Sequence, residues 1–269
     1  DAAAKVVSNL LIPDCQGSLR PGVTARDLIL TIIGDITASG ASYKVMEFAG
    51  DGAHALSIDE RMVLCNLTVE AGAKAGIVEP DEKCTAWCTA HGRDGGTLFT
   101  SDEDAEFEKV YDYDLSLIRP VAVRPDFVDN FALAADVEKG HIAINEAFVG
   151  SCNNGRLEDL RAAANVVRGR RVAPGVRFLV APASQDVFIQ AMEEGLITTL
   201  IEAGAQIMNP NCSVCWGSCQ GVLGANEVLI STGTRNFKGR SGDKTSKVFL
   251  ASAVTTAASA IAGYICEAH

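Results

Sequence analysis

Apolar residues recur along this chain at two spacings. Residues 27–34 (DLILTIIG) repeat them as one face of a helix, and Thr24 stands where an N-cap belongs. Residues 43–48 (YKVMEF) alternate as a strand does. Ser57 and Glu60 have the spacing of a capping box, so a helix is predicted from there through residues 61–71, stopping near Gly72. Ala75–Val78 is a candidate strand, and residues 102–109 read as a charged, exposed helix. Two prolines interrupt residues 117–130 (LIRPVAVRPDFVDN), and beyond them the alternation is clearer. Strands are predicted over 143–150, Arg177–Ala181 and 227–231, and helices over 156–168, 184–194 and 248–265, with a short further element over 198–203. Strands alternating with helices predict parallel sheets in an α/β architecture. The prolines suggest a boundary dividing 1–125 from 126–269.

Composition fits a folded globular chain, with 48% hydrophobic and 21% charged residues. The net charge of −11 makes nucleic acid and anionic membrane poor partners. It leaves room for a small anionic substrate, because a few arginines reverse the field inside a cleft. No apolar run is long enough to span a bilayer; the nearest, 248–265, is rich in Ala, Ser and Thr and reads as a buried helix. No basic-then-apolar secretory pattern opens the chain, which begins at Asp1 without a methionine, as a piece of a longer protein would. Nine cysteines, an odd number, point to metal or redox chemistry in a cytoplasmic protein rather than to a disulfide scaffold.

Three segments carry candidate chemistry. Residues 150–156 (GSCNNGR) lie where a strand ends and a helix begins, the edge at which open α/β sheets bind ligands. Helix N-terminal amides there favour the thiolate of Cys152; the bland alternative is a turn with an incidental cysteine. Residues 209–217 (NPNCSVCWG) hold Cys212 and Cys215 as a C-x-x-C pair, open to three chemistries. A thioredoxin-like redox pair normally opens a helix early in its fold, and this pair lies late. A zinc site wants four ligands, and the other close pair is Cys84 and Cys88, followed by His91. A cluster held by three thiolates, with one iron open, suits Lewis-acid work on a hydroxyl. Residues 231–240 (STGTRNFKGR) place Arg235 and Arg240 where their planar forks could close on a carboxylate, or simply be solvated. Cys65 reads as core, His54 and His91 as lone histidines, and Trp216 as a shield for the neighbouring cysteines.

Together, GSCNNGRLEDL around Cys152, NPNCSVCWG around Cys212 and Cys215, and TRNFKGR at 234–240 resemble the cluster and substrate motifs of the aconitase superfamily. The resemblance is strongest to 3-isopropylmalate dehydratase and homoaconitase large subunits. It extends upstream through VMEFAGDG (45–52) and SIDERMVLCNLTVEAGAKAGI (57–77), and so covers nearly the whole chain.

The resemblance implies an aconitase-like α/β fold of parallel or mixed sheets flanked by helices, in two domains around a cluster cleft. Residues 1–125 would be the family's second domain with a remnant of the first, and 126–269 its third. It implies a [4Fe–4S] cluster on Cys152, Cys212 and Cys215, with the fourth iron kept for the substrate's hydroxyl and a carboxylate, and Cys219 outside the ligand set. Arg235 and Arg240 match the family's substrate-carboxylate arginines. Glu47 matches the glutamate that hydrogen-bonds the water or hydroxyl at the cluster. Thr234 stands where close relatives more often have asparagine, a departure at one substrate contact. The implied activity is that of a hydro-lyase dehydrating or isomerising a 2-hydroxy di- or tricarboxylate, of the 3-isopropylmalate or homoaconitate type, with dimethylmalate or methylmalate dehydratase close behind. The family's leaving-group acid, a His and an Asp, belongs to an N-terminal domain whose end residues 1–20 resemble. Its base is a serine on a swivelling domain, often a separate small subunit. Two alternatives are a cluster-binding iron or redox sensor and a zinc-stabilised structural protein.

Overall fold

The computed structural model describes residues 9–12, 15–16, 18–94, 96–102 and 104–268. Most of the opening stretch, read as the end of an upstream domain, therefore lies outside the described residues.

The first half builds a four-stranded parallel sheet. It begins with β1 (Asn9–Ile12), β2 (Cys15–Gln16) and the helix α1 (Ala25–Ile36). Thr24 starts α1 as expected: its backbone N–H donates to the Asp27 carboxylate at 2.9 Å. β3 (Val45–Phe48), α2 (Gly50–Ala55) and α3 (Ile58–Leu67) follow. The Ser57 box closes in both directions, Glu60 N to Ser57 Oγ at 3.1 Å and Ser57 N to Glu60 Oε2 at 3.0 Å. The chain then tightens through Thr68–Ala71 and stops at Gly72, whose φ of 84° is left-handed. β4 (Ala75–Val78), α4 (Glu82–Ala90), β5 (Lys109–Val110) and β6 (Tyr113–Asp114) complete this half. The sheet order is β4-β3-β1-β5, while β2 and β6 pair separately. Among the described residues of 102–109 the predicted charged helix is absent: apart from a turn, they are irregular until β5 pairs with β1. Its only apolar residues, Ala105 and Phe107, give a helix no face to bury, and without burial a short helix is marginal.

The second half comprises β7 (Ala122–Val123), α5 (Ala134–Glu138), β8 (Glu146–Gly150), α6 (Ser151–Asn154), α7 (Leu157–Val167), β9 (Arg177–Ala181), α8 (Gln185–Glu193), α9 (Leu196–Ala203), β10 (Gln206–Ile207), β11 (Val228–Ser231), β12 (Lys247–Ala251) and α10 (Ala253–Ala262). Its sheet order is β10-β9-β8-β11-β12-β7, parallel except for the antiparallel edge strand β7. The helix predicted over 248–265 is corrected to a strand and a helix. VFL pairs with β11 as part of β12, Ser252 caps α10, and Gly263 (φ 83°) ends it. A short apolar run suits a buried strand or a buried helix equally, and here the neighbouring strand decides.

The order of this sheet matters for function. From β8 the chain winds outward through β9 and β10, then returns to lay β11 and β12 on the other side of β8. The strand order therefore reverses between β8 and β11. In open parallel sheets the crevice beyond the strand ends at such a reversal is where ligands bind.

α1 ties the halves together. Leu28, Ile29, Ile32 and Ile33 are buried in the apolar cluster of the first half, while Leu30 packs with Phe148, Leu229 and Leu250 of the second sheet. No helix among the described residues is long and apolar enough to cross a membrane.

Candidate active site at the β8–β11 crevice

Cys152 lies on the short helix that follows β8, and Thr232 to Arg235 follow β11, so both segments open onto the strand-order reversal. Thr232 stitches the two loops together: its N–H donates to the Phe148 carbonyl at 2.9 Å, and its hydroxyl accepts from Gly150 N at 2.9 Å. Gly155 lets the Cys152 loop settle on β9, since a Cβ there would collide with the Ala181 carbonyl.

Cys212 and Cys215 arrive on the loop after β10. Asn211 Oδ1 accepts from Ser213 N at 2.5 Å, and Cys215 N donates to Cys212 O at 3.1 Å, which folds the pair into one tight turn. Ser213 (φ 45°) and Ser151 (φ 73°) are both left-handed, each beside a cysteine of the set. Such conformations are costly for residues with a Cβ and cluster at functional sites. Gly217, also left-handed, brings this loop against the Arg240 carbonyl, where a side chain would clash.

The two cysteine loops share an electrostatic environment. Burial, then the charges of Cys215 and Cys212, push the Cys152 thiol above its ordinary value, with Arg156 pulling the other way. A bound cationic centre would relieve that rise at Cys152. A single ion gathers its donors around one point, and among the described residues no three His, Cys, Asp or Glu side chains are so gathered. A four-iron cluster spreads its thiolates over separate corners, which suits three cysteines on two adjoining loops. The zinc expectation finds no assembled site: the His91 ring stacks on Trp87 at 3.9 Å, and Cys84 Sγ lies 3.6 Å from Arg61 Nη1. Cys219 Sγ instead contacts Asn211 Oδ1 at 3.5 Å. Trp216, on the same loop, is 61% exposed among the described residues. Cys65 is half-buried, its thiol pushed up to about 11 by burial.

The arginines divide their partners. Arg240 donates from Nε to the Cys215 carbonyl at 2.8 Å, and its guanidinium stands 5.6 Å from the centre of the Phe237 ring. Arg235 donates from Nε to Glu70 Oε1 at 2.8 Å. Glu47 sits near the end of β3, 8% exposed, and both its oxygens accept from Ser101 Oγ, at 3.0 and 2.9 Å. Arg240 is thus joined to the Cys215 turn, while Arg235 turns to Glu70 of the first half and Glu47 is held by Ser101.

Three residues here escaped the sequence. Arg26, fully buried on α1, donates from Nη1 to Asn154 Oδ1 at 2.8 Å and from Nη2 to the Gly233 carbonyl. Glu70 and Ser101 hold the two charged residues named above. Asn66 of α3 continues this polar seam to Asn153 at 2.8 Å, and Asn153 reaches Asn154 at 2.7 Å.

The chain matches the aconitase family (aconitate hydratase) over residues 6–263. It belongs to that family. Among curated relatives it is 46% identical to "3-isopropylmalate dehydratase large subunit 2" of Archaeoglobus fulgidus, covering 94% of this chain and 60% of that protein. It is 46% identical to "3-isopropylmalate dehydratase large subunit 1" of Pyrococcus furiosus, over 93% of this chain and 59% of that one. It is 45% identical to "Probable methanogen homoaconitase large subunit" of Methanothermobacter thermautotrophicus, over 90% and 56%. This member of the aconitase family thus spans about 60% of the length of the curated relatives it matches.

Proposed function

We propose that this chain carries the cluster-binding part of an iron–sulfur hydro-lyase that dehydrates or isomerises a 2-hydroxy di- or tricarboxylate of the 3-isopropylmalate or homoaconitate type. Cys152, Cys212 and Cys215 would hold a [4Fe–4S] cluster. The observation that carries the reading is the meeting of the cysteine loops with the arginine loop at the strand-order reversal between β8 and β11. When bound, the cluster supplies a Lewis acid that makes a substrate hydroxyl a better leaving group.

The chain's own residues do the rest of this half-reaction. Arg235 and Arg240 bind the substrate's carboxylates, and their fixed positive charge stabilises negative charge growing there as the α-proton is removed. Arg240 is oriented by the Cys215 carbonyl, so the same turn that supplies a thiolate also aims a guanidinium. Glu47, held through Ser101, handles a proton at the hydroxyl oxygen. The base for the α-proton belongs to a small swivel-domain subunit, in keeping with relatives named as large subunits. We take residues 1–125 and 126–269 as two domains about this cleft; β7, just before that boundary, already joins the second sheet.

The test is turnover. The full-length protein, loaded with cluster and mixed with its small subunit, is expected to interconvert a 2-hydroxy dicarboxylate such as 3-isopropylmalate and its dehydration product. Arg240→Lys should raise KM at least tenfold or so, because lysine cannot bridge the Cys215 carbonyl and a carboxylate with one planar fork. Absence of turnover on the whole series of 2-hydroxy di- and tricarboxylates would overturn the reading.

A further inference from the structure

We infer that Cys65 and Cys84 form a dithiol pair that a peroxide closes to a disulfide, fastening α4 onto α3. Neither residue belongs to the site described above, and both are free thiols here. Cys65 lies where β4 presses on α3: a side chain on Gly76 would meet its Cα at 2.7 Å. Its sulfur accepts from the backbone N–H of Val78, the last residue of β4. Only Glu79, Pro80 and Asp81 then separate β4 from α4. Cys84 sits in the first turn of α4, its N–H donating to the cap Asp81 Oδ1 at 3.1 Å. Arg61, one turn before Cys65 on α3, donates from Nη1 to Cys84 Sγ at 3.6 Å. The charge of Cys84 is felt in turn at the Cys65 thiol.

Cys88 is the rival partner for Cys84. It stands one turn further along α4, where a helix sets Cβ atoms about 5–6 Å apart. A disulfide needs about 3.8 Å between them, so that pair could close only by unwinding the helix. Cys65 and Cys84 lie on two elements already packed together. Burial pushes the Cys65 thiol up to about 11, so it stays protonated and a peroxide meets Cys84 first. The Cys84 sulfur takes one oxygen, becoming a sulfenic acid, and water leaves. The Cys65 sulfur then attacks the Cys84 sulfur, the S–O bond breaks, and a second water departs with the Cys65 proton. The pair gives up two electrons, and both peroxide oxygens end as water. A small thiol such as glutathione reopens the bond by exchange. The tie matters because α4 has no fully buried residue. It is held by Lys83 on the carbonyls of His54 and Ala55 and by Arg61 on Asp81. A helix so lightly buried opens readily, and a covalent link to α3 suppresses that opening.

The experiment treats the full-length protein with hydrogen peroxide, blocks the remaining thiols and maps disulfides by mass spectrometry of unreduced peptides. Hydrogen exchange over residues 82–90 is followed before oxidation, after it, and after reduction by glutathione. The expected result in wild type and in Cys88→Ser is a peptide joining Cys65 to Cys84, with exchange over 82–90 slowed about fivefold and restored on reduction. Cys65→Ser is expected to accumulate the Cys84 sulfenic acid, trapped by dimedone, and Cys84→Ser to leave Cys65 a thiol. Wild-type chains in which peroxide leaves Cys65 a free thiol, or pairs Cys84 with Cys88, would overturn the inference. A Cys65–Cys84 bond that leaves exchange over 82–90 unchanged would overturn the fastening of α4. Because the mapping reads each cysteine by its own peptide, disulfides formed among Cys152, Cys212 and Cys215 do not enter the result.

Discussion

Arg26 brings a positive charge into the seam between the two halves. Burial lowers its affinity for its proton to about 10, and the nearby Asp159 and Asp27 offset part of that cost. Those two carboxyls are themselves pushed up to about 6 by burial, against hydrogen bonds from Val121 and Thr24 to Asp27 and from Asn154 and Arg156 to Asp159, with the Arg26 charge adding to both. Arg26→Ala would remove a buried positive charge from beside both aspartates and deprive Asn154 and the Gly233 carbonyl of their donor. The expected loss of unfolding free energy is about 3 kcal/mol, measured by denaturant titration, because breaking a buried charged set leaves the remaining charges uncompensated. At this scale the sequence was legible wherever chemistry is local. Cys152, Cys212, Cys215, Arg235 and Arg240 sit in short segments that carry the family resemblance, while each segment alone left a bland reading open. Arg26, Glu70 and Ser101 were not legible, because what each does is set by partners far along the chain: Gly233 for Arg26, Arg235 for Glu70 and Glu47 for Ser101.

Between the strands, one arginine links three elements. Arg177, opening β9, holds both oxygens of Glu227 at 2.8 Å and reaches Glu146 of β8 from Nε at 2.8 Å. The fork draws Glu227 down to about 2, while burial pushes Glu146 up to about 7 despite the same arginine. Arg177's own proton is held more tightly by both carboxylates, which favours a charged Glu146; the full burial of Glu146 outweighs that pull. The signs then oppose. Glu227 binds its proton less readily folded than unfolded, so its stability contribution is present above about pH 4.5 and is lost as the pH falls towards 2. Glu146 binds its proton more readily folded, so its contribution is present below about pH 4.5 and is lost as the pH rises towards 7. Unfolding free energy measured against pH should lose its acid-side rise in Glu227→Gln and its fall towards neutrality in Glu146→Gln. Element reading succeeded where caps and periodicity agreed, as at Thr24 and Ser57. It failed at 102–109, where charge pattern had no burial behind it, and at 248–265, where a strand is fixed by its neighbour. α4 was missed because none of its residues is fully buried, so its apolar positions form no stripe.

At the scale of the whole molecule, the two sheets are bridged by α1 and by the Asn66–Asn153–Asn154–Arg26 seam, which sets the cysteine loops against the first half. The α/β class and parallel strands were readable from alternation alone. The strand order, and with it the reversal between β8 and β11, was not, since pairing of distant strands leaves no local trace in the sequence. Three cysteines, and not Cys219, are proposed to hold a four-iron cluster at that reversal. The most direct measurement is iron and acid-labile sulfide per chain after anaerobic reconstitution, for wild type and for single Cys→Ser variants at 152, 212, 215 and 219. The account predicts roughly four iron and four sulfide in wild type and Cys219→Ser, and loss of most of both in the other three. Retention of the full complement by any of those three variants, or its loss in Cys219→Ser, would contradict it.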